Sequence, residues 1–213
     1  MGRVRAYVGL GANVGDAPAA LRRAVLTLAA LPAVRLRGVS RLYRTTPVGV
    51  VDQADFHNAV VALDVPRGAD PATGALALLM ALKGIERALG RQPRARWGPR
   101  ELDLDLLVFG RHAIRVERTS AARSDDPARG QGAQWLEVPH PSAHERLFVL
   151  APLADVAGGL VPPKWTETVG TARRRREAIE GPGAVRPIAR WEPAEGEWRS
   201  LKVRADRLDG APS

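Results

Sequence analysis

The sequence of 213 residues contains no cysteine, few aromatic residues and no long apolar run. Without cysteine there are no disulfides, thiolate metal sites or thiol nucleophiles, so the chemistry must rely on carboxylates, cations, hydroxyls and imidazoles. The same absence fits the reducing cytoplasm, which is the location we expect. No segment approaches the roughly 18 consecutive apolar residues of a membrane helix, and the N-terminus runs directly into strand-like sequence. We therefore expect no membrane contact and no signal peptide.

The sequence carries an excess of positive charge. The 32 Lys and Arg residues outweigh 23 Asp and Glu residues, which gives a formal net charge of +9. Such a balance suits a polyanionic partner, either nucleic acid or the phosphates of a nucleotide. A composition rich in Arg and Ala is also what a GC-biased genome produces, so charge alone does not choose between partners.

Hydrophobic patterning predicts one domain with the element order strand, helix, strand, strand, helix, strand. That order, with two helices covering one face of an antiparallel sheet, indicates an α+β ferredoxin-like split βαβ sandwich. The predicted strands cover residues 3–10, 34–44, 57–65 and 102–109, and the predicted helices cover residues 18–31 and 71–90.

Two segments do not fit this compact plan. Residues 117–134 are polar and rich in turn formers, and are expected to form a surface insertion. We assign residues 1–165 to the domain and residues 166–213 to a C-terminal extension. The extension is predicted to contain a helix around residues 173–176 and a hairpin of residues 185–191 and 197–204.

A pair of carboxylates provides the most informative motif. Side chains alternate along a strand, so Asp103 and Asp105 share one face with Cα atoms roughly 6.5–7 Å apart. Mg²⁺ prefers hard oxygen ligands, and it commonly takes one or two carboxylates together with water and substrate phosphates. The pair is therefore a candidate metal site. The alternative is the solvent face of an ordinary amphipathic strand.

A basic loop precedes this strand. Guanidinium groups bind phosphate oxygens through paired donors and stabilise charge on a phosphoryl group during transfer. Alternatives are a solvated basic loop or an RNA-contacting loop with a stacking tryptophan. The loop contains Arg91, Arg94, Arg96, Trp97 and Arg100.

Other motifs are weaker. The spacing of Gly9, Gly11 and Gly15 is one residue too long for a dinucleotide-binding fingerprint, and there is no Walker A sequence. His140 and His144 have the spacing of a helical metal pair, but no third ligand of the usual kind is evident. A phosphate-binding role suits His140 better.

Taken together, the motifs resemble the 6-hydroxymethyl-7,8-dihydropterin pyrophosphokinase family over about residues 7–161. The matching segments follow the family's order along the chain. They are GANVGD at 11–16, SRLYRTTP at 40–47 leading to DQADFHN at 52–58, RWGPRELDLD at 96–105, and VPHP at 138–141 leading to RLFVL at 146–150.

The resemblance implies that a diphosphate group passes from ATP to a reduced pterin in folate biosynthesis, with release of AMP. It places the pterin between Phe56 and Phe148, with Asn58 at its polar edge. Backbone groups around Thr45, Thr46, Pro47 and Val48 complete that pocket.

The resemblance also implies two Mg²⁺ ions on Asp103 and Asp105, with Arg96 and Arg100 as further catalytic residues. Lys83 occupies a position where the family can place a glutamine beside the adenine. Residues 134–137 depart from the family, which often has Arg and Thr there. The resemblance assigns ATP binding to Lys83, Arg91, Arg94, Arg96, Trp97, Arg100, His140 and Arg146.

Two other hypotheses remain open at the level of sequence. One is a basic RNA-binding module on a ferredoxin-like sheet, which would need exposed aromatic residues, and the aromatic content is only 5%. The other is a family member that acts mainly as a docking subunit through its unusual extension. A monomer that binds only small-molecule substrates, with no nucleic acid partner, is the expected state.

Overall fold

The structure of the protein is a computed structural model that describes residues 2–46, 54–90, 100–123 and 132–201. Within these ranges the chain forms nine strands and four α-helices. The strands are β1 (Arg3–Ala12), β2 (Arg35–Val39), β3 (Leu42–Thr45), β4 (Phe56–Pro66), β5 (Asp103–Phe109), β6 (Ile114–Glu117), β7 (Trp135–Val138), β8 (Val185–Glu192) and β9 (Glu197–Ser200). The helices are α1 (Ala17–Ala30), α2 (Pro71–Ala88), α3 (Leu147–Ala157) and α4 (Val169–Glu180).

Seven strands form one antiparallel sheet. Its order is β5, β1, β4, β3, β8, β9, and β2 also pairs with β4. The first half of the chain therefore has the arrangement expected of a ferredoxin-like fold, and the predicted α+β class is confirmed.

The strand predicted over residues 34–44 is divided in two. β2 and β3 pair with different parts of β4, and the chain bends between them at Ser40 and Arg41. The Ser40 hydroxyl accepts a hydrogen bond from the Val60 amide (2.9 Å), and the Arg41 amide donates to the Asp155 carboxylate (3.1 Å). Partners outside the ladder thus satisfy the backbone at the bend.

Both helices predicted from the sequence begin at an aspartate. Asp16 accepts a hydrogen bond from the Ala19 amide (3.0 Å), and Asp70 accepts one from the Thr73 amide (2.9 Å). Each cap satisfies a backbone donor of the first turn that has no partner within the helix, and a proline in that turn lacks the donor altogether. α1 and α2 pack on one face of the sheet and form the main core with it.

The opposite face of the sheet is covered by α3 and α4. Tyr7, Val60 and Leu107 point to this side and pack against Leu150 and Leu153 of α3. The sequence did not predict α3. Its residues are almost uniformly apolar and include Pro152, so they show no helical periodicity and contain a residue that disfavours helix interiors.

The predicted surface insertion is partly integrated into the domain. Strands β6 and β7 pair on either side of it, with Glu117 opposite Trp135. Ala122 and Gln134, both within the predicted insertion, are buried. Residues 124–131 lie outside the described ranges, and the surface insertion over residues 117–134 stays a prediction.

The C-terminal residues extend the same sheet. β8 pairs with β3, β9 pairs with β8, and the rings of Trp191 and Trp198 meet edge to face with centroids 4.8 Å apart. The Trp198 indole nitrogen donates to the Ser40 carbonyl over 3.0 Å. The bounds that separate domain and extension stay a prediction.

The arginines of α4 are paired within the extension. Arg173 and Arg176 form ion pairs with acidic residues one turn further along the helix, Arg175 pairs with Glu167, and Arg174 donates to Thr171.

None of the described helices is both long and apolar enough to cross a membrane.

Candidate active site

A row of directly paired residues crosses the sheet on the face that α3 covers in part. Asn58 of β4 lies opposite Gly11 of β1, and Gly11 lies opposite Asp103 of β5. Neighbouring strands are about 4.8 Å apart, so the backbones of Asn58 and Asp103 are separated by about 10 Å. The buried Asn58 amide and the Asp103 carboxylate thus lie at the two ends of this short row.

Glycine forms the floor between them. A Cβ atom on Gly11 would lie 3.3 Å from the Asn58 Oδ1 atom, which is closer than most such contacts. A Cβ atom on Gly9, the next residue on the same face, would touch the Leu107 side chain at 3.4 Å. A side chain at Gly11 would therefore occupy the space beside the Asn58 Oδ1 atom.

The aspartates of β5 have the orientation predicted from strand alternation. Leu104 and Leu106 are buried in the core beneath the sheet, whereas Asp103 and Asp105 lie on the opposite face and are partly accessible. The Arg100 Nη1 atom donates a hydrogen bond to the Asp103 Oδ2 atom. Arg100, the last residue of the basic loop, therefore contacts the carboxylate pair.

Asn13 links this region to the other side of the site. Its side-chain oxygen accepts from the Arg100 amide (2.7 Å), and its backbone amide donates to the Arg100 carbonyl (2.9 Å). Its side-chain nitrogen donates to the Ala54 carbonyl (3.2 Å). Asn13 belongs to the first motif, but no spacing in the sequence indicates that its side chain joins two segments distant along the chain.

His140 lies on the nucleotide side of the carboxylates. Its backbone amide donates to the Leu107 carbonyl of β5 over 2.9 Å. Burial lowers the pKa of the His140 imidazole, and Arg146 adds to this effect while Asp105 opposes it. The ring is therefore neutral at neutral pH. The Ser142 amide donates to Nδ1 (3.3 Å), which leaves the proton on Nε2, where it can bind a phosphate oxygen.

Four of the residues predicted to bind the pterin, Thr45, Phe56, Asn58 and Phe148, lie on β3, β4 and α3. Asn58 and Thr45 are each 7% exposed, and the Asn58 Nδ2 atom donates to the Thr45 hydroxyl over 3.1 Å. Phe56 is two residues before Asn58 on β4 and therefore faces the same side of the sheet. Phe148, in the first turn of α3, packs against a cluster around Tyr43.

Several predicted site residues remain predictions. Thr46 is exposed just after β3, and its role in pterin binding stays a prediction. The predicted residues that lie outside the described ranges are Pro47, Val48, Arg91, Arg94, Arg96 and Trp97.

Lys83 has contacts other than those expected of a residue beside adenine. It is only 6% exposed, and its ammonium group donates to the Glu86 carboxylate (2.7 Å) and to the Leu104 carbonyl (3.1 Å). The family resemblance singled out Lys83 but did not indicate its pairing with Glu86. Glu86 was not predicted as a site residue because a charged residue on a helix usually faces solvent.

Another residue missed at the level of sequence is Arg115 on β6. Its guanidinium group lies 4.1 Å from the centre of the Trp135 ring and forms an ion pair with Glu137 (3.0 Å). Residues 134–137 lack the arginine that the family often has, and Arg115 supplies a cation on the neighbouring strand. Arg115 and Glu137 are far apart in the sequence, so their pairing could not be predicted from spacing.

The donor set around Asp103 and Asp105 fits Mg²⁺. Among the described residues, no group of three or more His, Cys, Asp or Glu side chains is arranged to hold a metal ion alone. Two carboxylates on one strand face suit an ion that takes its remaining ligands from phosphates and water. The fold and the arrangement of these residues are those of an α+β enzyme that acts on a nucleotide.

Comparison with known proteins identifies the family. Residues 7–158 match the model of the 7,8-dihydro-6-hydroxymethylpterin-pyrophosphokinase (HPPK) family, and the chain belongs to that family. It is 42% identical over 151 residues to the 2-amino-4-hydroxy-6-hydroxymethyldihydropteridine pyrophosphokinase of Bacillus subtilis, covering 71% of this chain and 77% of that protein. The protein of the same name from Methylorubrum extorquens is 41% identical over 160 residues, covering 74% and 85%.

Solved structures support the fold. The wild-type HPPK-DHPS of Plasmodium falciparum superposes with a TM-score of 0.68 at 14% identity, covering 94% of this chain and 50% of that one. The chain thus spans about half the length of that protein, and the likeness concerns the fold alone. The comparisons give no support to an RNA-binding module or to a docking subunit.

Proposed function

We propose that the protein transfers a diphosphate group from ATP to the hydroxymethyl group of 6-hydroxymethyl-7,8-dihydropterin, producing AMP and the pterin diphosphate in folate biosynthesis. The family match and the names of the relatives support this reaction. The single observation that carries it is the row formed by Asn58, Gly11 and Asp103 across three adjacent strands. Along this row the backbones of Asn58 and Asp103 lie about 10 Å apart. This span is roughly the length of a pterin with its hydroxymethyl arm, which supports binding of the ring at one end and of the phosphates at the other.

The pterin binds at the Asn58 end in this proposal. The Asn58 amide already donates to Thr45, which fixes its orientation and presents Oδ1 as an acceptor above Gly11. A ring N–H group of the pterin can donate to that atom. Phe56 and Phe148 supply the flat apolar contacts, and backbone groups of residues 45–48 bind the remaining polar edge. Such matched partners are needed because an unpaired buried polar group costs about 1–3 kcal/mol.

ATP binds at the carboxylate end, where His140, Arg146 and Arg100 surround Asp103 and Asp105. We assign to the same side Arg91, Arg94, Arg96 and Trp97 of the basic loop. The Nε2 atom of His140 donates to a phosphate oxygen, and the arginines hold the triphosphate with its β-phosphorus toward the pterin arm.

Two Mg²⁺ ions held by Asp103 and Asp105 would neutralise the phosphate charge and align the chain of phosphates. The pterin hydroxyl oxygen forms a bond to the β-phosphorus while the bond from that phosphorus to the oxygen bridging to the α-phosphorus breaks. That oxygen leaves with AMP, and the hydroxyl proton is released to solvent water. The protein contributes mainly by positioning the two substrates and by stabilising charge, with Arg96 and Arg100 closest to the transferred group.

The test is direct detection of both products by mass spectrometry after incubation with ATP, Mg²⁺ and 6-hydroxymethyl-7,8-dihydropterin. Asp103→Asn retains the size and shape of the side chain but removes the charge that binds the metal. We expect this variant to lose at least about 100-fold in transfer rate and to bind the pterin as the unmodified protein does. Absence of pterin diphosphate with the unmodified protein would refute the proposed function.

A monomeric state and a cytoplasmic location stay predictions. Size-exclusion chromatography with light scattering tests the first, and fractionation of cells that express the full chain tests the second.

A further inference from the structure

An ion pair buried beneath β5 satisfies the backbone of the residue between the two aspartates. The Glu86 Oε1 atom accepts from the Leu104 amide (2.6 Å) and from the Lys83 ammonium group (2.7 Å). The same ammonium group donates to the Leu104 carbonyl (3.1 Å). The three residues therefore form a closed cycle of hydrogen bonds that engages both polar groups of one peptide residue.

The position of β5 explains why such contacts matter. It lies at one end of the described sheet, where β1 is its only strand partner, so its outer backbone groups need other partners. α2 packs along this strand and supplies them from Lys83 and Glu86, which are 6% and 2% exposed. Without these contacts the outer edge of β5 would have an unsatisfied donor and acceptor at Leu104.

Stability alone does not account for a charged pair at this place. Replacing a buried ion pair by well-packed apolar side chains is often neutral or stabilising, because removing both charges from water is costly. The geometry of the pair instead suits alignment. Leu104 is flanked by Asp103 and Asp105, whose carboxylates repel each other on the opposite face of the strand.

We infer that the Lys83–Glu86 pair positions the two metal-binding carboxylates by fixing the Leu104 backbone between them. The inference rests on the proposed function and assigns to Lys83 and Glu86 a positioning role rather than contact with the reacting atoms. Outer groups that orient metal ligands typically change metal affinity by about 10–100-fold when they are removed.

The experiment compares two double variants by electron paramagnetic resonance titration of Mn²⁺ in the presence of a non-hydrolysable ATP analogue. Lys83→Met/Glu86→Leu retains the bulk of both side chains and removes every hydrogen bond to Leu104. Lys83→Gln/Glu86→Gln removes the charges but retains an acceptor for the Leu104 amide and a donor for its carbonyl. The matched control is Arg176→Met/Glu180→Leu, which removes an ion pair between two side chains of α4.

We expect at least about tenfold weaker Mn²⁺ binding in the Met/Leu variant, recovery in the Gln/Gln variant, and no change in the α4 control. Pterin affinity, measured by calorimetry without metal, should be the same in all of them. Mn²⁺ affinity in the Met/Leu variant equal to that of the unmodified protein would overturn the inference. Failure of the unmodified protein itself to bind Mn²⁺ with the analogue would instead count against the proposed function.

A second measurement needs no variant. Hydrogen exchange of the unmodified protein should show the Leu104 amide protected to the same degree as the amides of β1 and β4, although β5 is an outer strand. Rapid exchange at Leu104 beside slow exchange in β1 would also overturn the inference, even if the Met/Leu variant did not fold.

Discussion

Substitution of Gly11 by alanine should separate ligand binding from stability. The new Cβ atom would lie 3.3 Å from the Asn58 Oδ1 atom, and the backbone of Gly11 is not in the left-handed region, so alanine fits the strand conformation. Alanine in a strand removes the entropic cost of glycine, which is about 0.5–1 kcal/mol. We therefore expect a protein that is as stable as the unmodified one or slightly more stable.

Pterin binding should change in the opposite direction. The methyl group covers the floor above which Asn58 presents its acceptor, so the ligand loses that hydrogen bond or leaves the amide unpaired. The cost of about 1–3 kcal/mol for a buried polar group without a partner corresponds to roughly 5–150-fold weaker binding. Isothermal calorimetry with the pterin measures the affinity, and urea denaturation measures the free energy of unfolding.

A matched control is Gly38→Ala in β2. A Cβ atom there would make an ordinary contact of 3.6 Å with Val156, far from the residues predicted to bind the pterin. This variant should show the same gain or neutrality in stability and unchanged pterin affinity. If Gly11→Ala binds the pterin as tightly as the Gly38→Ala control does, the glycine floor does not form the ligand site.

Three further predictions concern residues around the site. Asn13→Ala removes the hydrogen bonds of the Asn13 side chain to Arg100 and Ala54. We therefore expect steady-state kinetics to show a higher KM for both ATP and the pterin. Unchanged KM values would contradict this role. Tyr43→Phe removes the hydroxyl that donates to Asp155 (3.0 Å) and should lower the free energy of unfolding by about 1–2 kcal/mol, whereas an unchanged urea midpoint would contradict this. Burial lowers the pKa of His57 in the folded protein. As the pH approaches about 6.5, the unfolded chain therefore binds more protons than the folded protein does. The free energy of unfolding should consequently fall between about pH 7.5 and about pH 5.5. His57→Gln should remove this part of the pH dependence, and an identical slope in the variant would show that another group causes it.

The sequence predicted the elements whose signals are local. Strand alternation marked β1, β4 and β5, and an aspartate followed by proline marked the start of both α1 and α2. The fold class followed from their order. α3 was missed because an apolar segment that packs between the sheet and α4 shows no amphipathic period, and β6 and β7 were missed because each is short and depends on its partner.

Site residues that are close together along the chain could be predicted, whereas those that depend on distant contacts could not. Asp103 and Asp105 share a face because of strand geometry, which spacing in the sequence reveals. The roles of Asn13 and Glu86 depend on backbone groups that are distant along the chain, and no spacing rule locates those. A buried glutamate in a helix has the same sequence signature as an exposed one, so only the packing of α2 on β5 distinguishes them.

The hairpin of β8 and β9 has a consequence for how the domain is completed during synthesis. One edge of β3 pairs with β4 and the other with β8, and β8 leaves the ribosome long after β3 and β4 do. Until then the outer edge of β3 is open to pairing with other chains, and edges of this kind promote association between nascent proteins. The hairpin of β8 and β9 therefore covers an edge of β3, a strand that is synthesised much earlier.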